Sequence, residues 1–126
     1  MTAATNVDAP AWLVDFYAKV DGLDTEGVLA GFAPDATMIY GAQPPMTGTD
    51  AVRGGLTYLF TYYTKIAHEF RNVWTADTTV LLEAGVTYGL PDGTEVTVPA
   101  LTVIDHRDGL IDALRIFIDP TPVASG

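Results

Sequence analysis

The stretch "DATMIYGAQPPMTGTDAV", residues 35–52, decides how the rest of the chain is read. It begins as a strand, breaks at Pro44-Pro45 and closes where a helix starts, with Thr49 or Asp50 as the expected N-cap. A strand-to-turn junction of this kind lines a pocket mouth, where acids and bases tend to sit. Here its last strand residue is a phenol, Tyr40.

Upstream, the pattern is helical. Trp12, Phe16 and Val20 recur at i, i+4 and i+8 as one apolar stripe, with Asp8 as expected cap, Pro10 in the first turn and Gly22 at the end. Asp24 caps a second short helix, TEGVLAGF, which Pro34 is expected to stop. Downstream, Val52, Leu56, Leu59, Phe60 and Tyr63 fall at helical spacing, weakened near the start by Gly54 and Gly55. From Ala67 the period drops from about 3.6 to 2. Four strand-like runs follow, about 68–76, 79–89, 95–105 and 110–119, joined by turns at residues 90–93 and 106–109 whose glycines supply positive φ, and by a weaker join near residues 76–78. Helices first and an antiparallel meander afterwards predict an α+β domain, with about three helices on one face of a curved, mostly antiparallel sheet.

The chain of 126 residues is expected to form one domain, with a core over about 10–119 and a frayed tail over 120–126. An apolar content of 48% against 17% charged residues fits a folded chain. No apolar run approaches the roughly eighteen residues of a membrane span. The opening MTAATNVDAP lacks a basic start and an apolar core, and there is no cysteine, so a cytoplasmic protein is expected. Six basic against sixteen acidic residues leave a net charge of −10, which repels nucleic acid and anionic membrane. In the third run Val96, Val98, Ala100 and Ile104 oppose Thr97, Leu101 and Val103; in the last, Leu114, Ile116 and Ile118 oppose Ile111, Ala113 and Phe117. Both faces are apolar and three helices cover one, so a homodimer through the other is expected.

The order of elements, with "DATMIYG" after the second helix and "GLIDALRIFID" at the end, resembles the SnoaL-like, or nuclear-transport-factor-two-like, superfamily over about 10–119. The resemblance implies a half-open α+β cone with a pocket between helices and concave sheet, frequent dimers, and cofactor-free acid–base chemistry on a small hydrophobic molecule. Two enzyme branches are similar in detail. "DTEGVLAGFAPDATMIY" resembles ketosteroid isomerase, whose base falls on Tyr40, whose oxyanion tyrosine falls on Phe16 beside Tyr17, and whose protonated carboxylic acid falls near Thr97. "PPMTGTDAVRGGLTYLF" and "IDALRIFID" resemble limonene epoxide hydrolase, whose arginine and two aspartates fall on Glu83, Gly85 and Ile116, and whose asparagine falls on Tyr40. Neither catalytic set is present.

Both resemblances put Tyr40 at the working position, as a donor to a substrate oxygen. Glu83 is the expected base if it turns into the cone, although its strand's alternation, with Val80, Leu82, Ala84 and Val86 as the apolar set, equally allows a solvent-facing carboxylate. His68, on one face with Phe70, Asn72 and Trp74 in a regular strand, is the alternative base or a hydrogen-bonded core residue. Trp12, Phe16, Tyr17, Leu59, Thr97, Leu114 and Ile116 are expected to wall the cavity. His106 reads as solvated, Tyr58, Tyr62 and Tyr63 as packing, and Arg115 as pairing with Asp119. Two distant histidines give a poor metal site, and no phosphate- or dinucleotide-binding loop occurs, so no cofactor is expected. The functions open at this point are an isomerase, cyclase, dehydratase or hydrolase on a hydrophobic substrate, or a non-catalytic binding or dimerisation module.

Overall fold

Two helices open the chain, and a third, set between the first two strands and a four-stranded meander, packs with them across the concave face of the sheet. The computed structural model describes residues 8–124. Helices α1 (Ala11–Asp21) and α2 (Thr25–Leu29) lead into β1 (Phe32–Tyr40), followed by the short β2 (Met46–Thr47) and α3 (Thr49–Tyr62). The meander β3 (Lys65–Ala76), β4 (Thr79–Gly89), β5 (Glu95–Arg107) and β6 (Leu110–Ile118) then runs into a last turn of helix, α4 (Thr121–Ala124). The six strands form one curved sheet in the order β2-β1-β6-β5-β4-β3. Only the β1–β6 pair is parallel, and a long crossover through β2, α3 and β3 to β5 joins its two strands. This is the α+β cone that the resemblance implied.

The concave face is a ladder of alternate residues. Val80, Leu82, Ala84, Val86 and Tyr88 of β4 and Val98, Ala100, Thr102 and Ile104 of β5 are all buried, while the odd-numbered set of each strand faces out. A bulge at Arg71 breaks this rule in β3. Phe70 pairs with Ala84, but Asn72 already pairs with Glu83, so the strand changes face within two residues. His68 and Phe70 therefore point in, while Asn72 and Trp74 join the outer face, contrary to the single face expected of a regular strand. Arg71 lays its guanidinium over Gly85, which has no side chain to obstruct it.

Several local expectations change once the elements dock. Helix α1 begins after Pro10, with no side-chain cap, so Asp8 does not cap it. Asp24 does cap α2, accepting from the Gly27 N–H at 3.0 Å. That helix ends at Leu29, and Pro34 lies inside β1 instead of terminating it. Gly48 occupies the N-cap of α3 at φ 91°, and Thr49 reaches the Pro34 carbonyl at 3.4 Å. The described part of the tail expected to fray forms a turn of helix, Thr121–Ala124. Val123 is fully buried against the cluster that includes Tyr63, Tyr88 and Val98, worth about 1.5–3 kcal/mol for a side chain of that size. The expectations for the first seven residues lie outside the described residues.

The convex face carries Trp74 and Phe117, 51% and 58% exposed, among polar pairs such as Thr87–Thr97 at 2.7 Å. Arg115 pairs with Asp105 at 3.0 Å on this side. It does not meet Asp119, whose carboxylate accepts the Thr121 backbone N–H and hydroxyl at 3.0 and 2.6 Å.

Candidate functional site

Between α1, α3 and the concave sheet lies an apolar cavity of about 60 Å³. Phe16, Tyr17, Val28, Leu56, Leu114 and Ile116 contribute its walls. Beyond it opens a vestibule of about 660 Å³ between α3 and the Pro44-Pro45 turn. Tyr40 and Leu59 line both spaces, so the phenol at the end of β1 stands at the threshold. A fully enclosed ligand pocket is typically about 300–1,000 Å³. The inner cavity alone falls below that range, and the vestibule falls within it.

Two polar constellations break the apolar lining. In the first, the hydroxyls of Tyr40 and Tyr88 lie 2.9 Å apart. Tyr88 sits on β4 two residues beyond Val86, on the face that carries the cavity. Two phenols own two protons, and their mutual bond uses one. Among the described residues neither hydroxyl has another partner, so the pair offers one donor to whatever enters. Burial raises both phenols above the ordinary tyrosine range; the Tyr88 bond partly offsets this for Tyr40, and the neighbouring Tyr40 adds to it for Tyr88. The pair thus stays protonated and acts as a donor.

In the second, Asp21 at the end of α1 takes the His68 backbone N–H at 2.9 Å and the ring Nδ1 at 2.6 Å. A carboxylate only accepts, so when the ring is neutral its proton sits on Nδ1 and the lone pair on Nε2. Nε2 has no partner among the described residues, and His68 lines the cavity. The Tyr17 ring packs on the imidazole at 4.6 Å and fixes its plane. Tyr17, buried against Thr102, has its phenol raised mainly by desolvation. His68 pairs with Val86, and Tyr88 is the next inward residue of β4, a diagonal separation of about 7–8 Å. A free acceptor and a free donor thus flank one small apolar space.

Of the residues singled out from sequence, Tyr40 and His68 meet at this cavity, along with Phe16, Tyr17, Leu59, Leu114 and Ile116. Three do not. Glu83 belongs to the outward set of β4 and accepts from Asn72 Nδ2 at 2.7 Å, so it faces away from Tyr40. Thr97 also points out, paired with Thr87; Thr102, of opposite parity, is the cavity residue of β5. Trp12 packs at a tilt on His106, ring centroids 4.6 Å apart, instead of walling the cavity, which gives that histidine a ring partner where solvent was expected. Tyr88 and Asp21 were missed. Tyr88 continues the inward parity of Val80 to Val86, and Asp21 lies one helical turn after Tyr17, so each carried a weak periodic signal.

Fold and concave pocket define a nuclear-transport-factor-two-like cone. The family model for the SnoaL-like domain matches residues 13–114, and the chain belongs to that family. No curated protein is a significant sequence match. Among solved structures, a protein from Shewanella putrefaciens CN-32 described as a SnoaL-like polyketide cyclase aligns with a TM-score of 0.81 at 13% identity, over 94% of this chain and 96% of its own. SalBIII, an epoxide hydrolase/cyclase-like enzyme of pyran ring formation in salinomycin, aligns with a TM-score of 0.78 at 20% identity, over 87% and 89%. A protein of ketosteroid isomerase-like fold from Catenulispora acidiphila DSM 44928, in complex with trimethylamine, aligns at 0.79 with 19% identity, over 86% and 85%. Likeness at this level speaks for the fold.

Proposed function

We propose that the chain is a cofactor-free acid–base enzyme acting on a small, largely apolar carbonyl compound, working as a cytoplasmic homodimer. The observation that carries this reading is the unspent pair of groups in the cavity, one phenolic proton from Tyr40–Tyr88 and one lone pair on His68 Nε2. A substrate carbonyl accepts the phenolic proton as a hydrogen bond, and His68, oriented by Asp21, removes a proton from the adjacent carbon. The electron pair of that C–H bond moves to the carbonyl oxygen, giving an enolate that the two phenols stabilise. Reprotonation elsewhere is an isomerisation; attack on an internal electrophile is a cyclisation. Cyclase-type descriptions of neighbours with the same fold support this class of chemistry.

The test is exchange of α-protons for deuterium in a panel of apolar ketones, followed by NMR. Wild type should accelerate exchange; His68→Gln, which removes the base, should slow it about a hundredfold or more, and Tyr40→Phe, which removes one hydrogen bond, about ten- to a hundredfold, with both variants still folded. Exchange unchanged in both variants would sink the assignment. The second reading is a binding module without turnover, favoured by the inner cavity's volume of about 60 Å³, which leaves little room for a substrate to react. It predicts retained ligand by native mass spectrometry and no exchange.

A further inference from the structure

We propose that the vestibule is a recognition site for an organic cation, so that the substrate is a carbonyl compound bearing an amine or quaternary ammonium group. The carbonyl half of this statement rests on the acid–base reading above. The cation half rests on the vestibule alone.

Four of its eleven lining residues are tyrosines, Tyr40, Tyr58, Tyr62 and Tyr63, among prolines, Gln43, Met46, Gly55 and Leu59. Tyr62 and Tyr63 meet edge to face at 86° with centroids 4.9 Å apart. Tyr58 lies parallel to Tyr62 at 6.4 Å and is 71% exposed, so the outer ring presents its surface to an arriving ligand. Tyr40 closes the inner end. None of the eleven lining residues carries a charge, so a carboxylate or phosphate finds no counter-ion there. Nor does one reach in from nearby: of the six Lys and Arg, five already face carboxylates, Arg53 with Glu26, Lys65 with Glu95, Arg71 with Glu69, Arg107 with Asp112 and Arg115 with Asp105.

The surrounding field has the opposite preference. The chain carries a net charge of −10, which concentrates cations at its surface. Asp119 directly precedes Pro120 of the vestibule wall, and the Thr121 hydroxyl and N–H hold its carboxyl below the usual range. Aromatic faces attract a cation through the ring quadrupole, by about 0.5–1 kcal/mol for an exposed ring and more where water is excluded. A neutral group of equal size gains only burial.

The experiment compares choline with its uncharged carbon isostere, in which a tert-butyl group replaces trimethylammonium, by calorimetric titration of the full chain. Choline should bind about fivefold or more tightly than the isostere. Tyr62→Leu should erase that preference, and Tyr58→Leu, an exposed position whose replacement leaves the core alone, should at least halve it. Equal binding of the two probes, no binding of either, or a choline affinity indifferent to both variants would overturn the proposal, the last by showing a diffuse surface charge effect. Choline preference without ketone exchange removes the acid–base reading and leaves this site standing. Ketone exchange without choline preference does the reverse.

Discussion

Tyr40 and Tyr88 meet from strands that are 48 positions apart in sequence, and their shared hydrogen bond makes their contributions interdependent. Tyr40→Phe leaves the Tyr88 hydroxyl buried without a partner, at a cost of about 1–3 kcal/mol. Replacing both phenols removes donor and acceptor together, so the double variant should be more stable than the sum of the two singles, read by urea unfolding. Activity should show no such recovery. Alkaline pH probes the same group. Burial pushes Tyr63 up to about 12 and also raises Tyr17, Tyr40 and Tyr88, whereas a tyrosine in the unfolded chain titrates near 10. Below about pH 10 both states hold these protons and stability is fully present. Above it the unfolded chain loses them first, so stability falls as pH rises from about 10 through 12 and beyond. The unfolding midpoint should drop across that window, and tyrosinate absorbance should show a late-titrating population.

Helix α3 carries its two glycines for different reasons. A Cβ on Gly54 would meet nothing within 4 Å, so this glycine only lowers helix propensity. Gly54→Ala should stabilise the protein by about 0.5–1 kcal/mol in chemical unfolding. A Cβ on Gly55 would run into the Met46 sulfur, with the Met38 methyl 3.5 Å away. That glycine lets β2 lie against the helix and shapes the vestibule wall, so Gly55→Ala should gain less than its neighbour or lose stability. A helix that looked weak in sequence is thus weakened at one position by packing and at the other by nothing the fold requires.

On the convex side, Trp74 and Phe117 expose large apolar surface on a face that no helix covers, with Leu81, Pro99 and Leu101 around them. A second copy of the same sheet is the partner we propose for it. Light scattering at low micromolar concentration should give about twice 13.4 kDa, and Phe117→Asp should shift it to monomer without disturbing the cavity, since the side chain points away from it. A wild-type monomer would remove the homodimer from the proposal.

The succession of helices and strands was legible in the chain because periodicity is a local property. Trp12, Phe16 and Val20 mark one helix, and the alternation from Val80 to Val86 marks one apolar strand face, whatever the rest of the molecule does. Tyr40 was legible as the end of a strand beside a turn, and the two family resemblances, not periodicity, implied its place at the pocket. What docking decided is who meets whom. Tyr88 and Asp21 reach Tyr40 and His68 across 48 and 47 positions, and only strand register and the seat of α1 bring them there. Glu83 could not be turned from the cone by reading β4 alone, because both faces of that strand bear apolar residues; the helices choose which one becomes the interior. The bulge at Arg71 was equally hidden, since one extra residue leaves composition unchanged and shows only as a shift against β4. Periodicity specifies faces, while pairing across the sheet specifies partners, and the chemistry of this cavity lies in the partners.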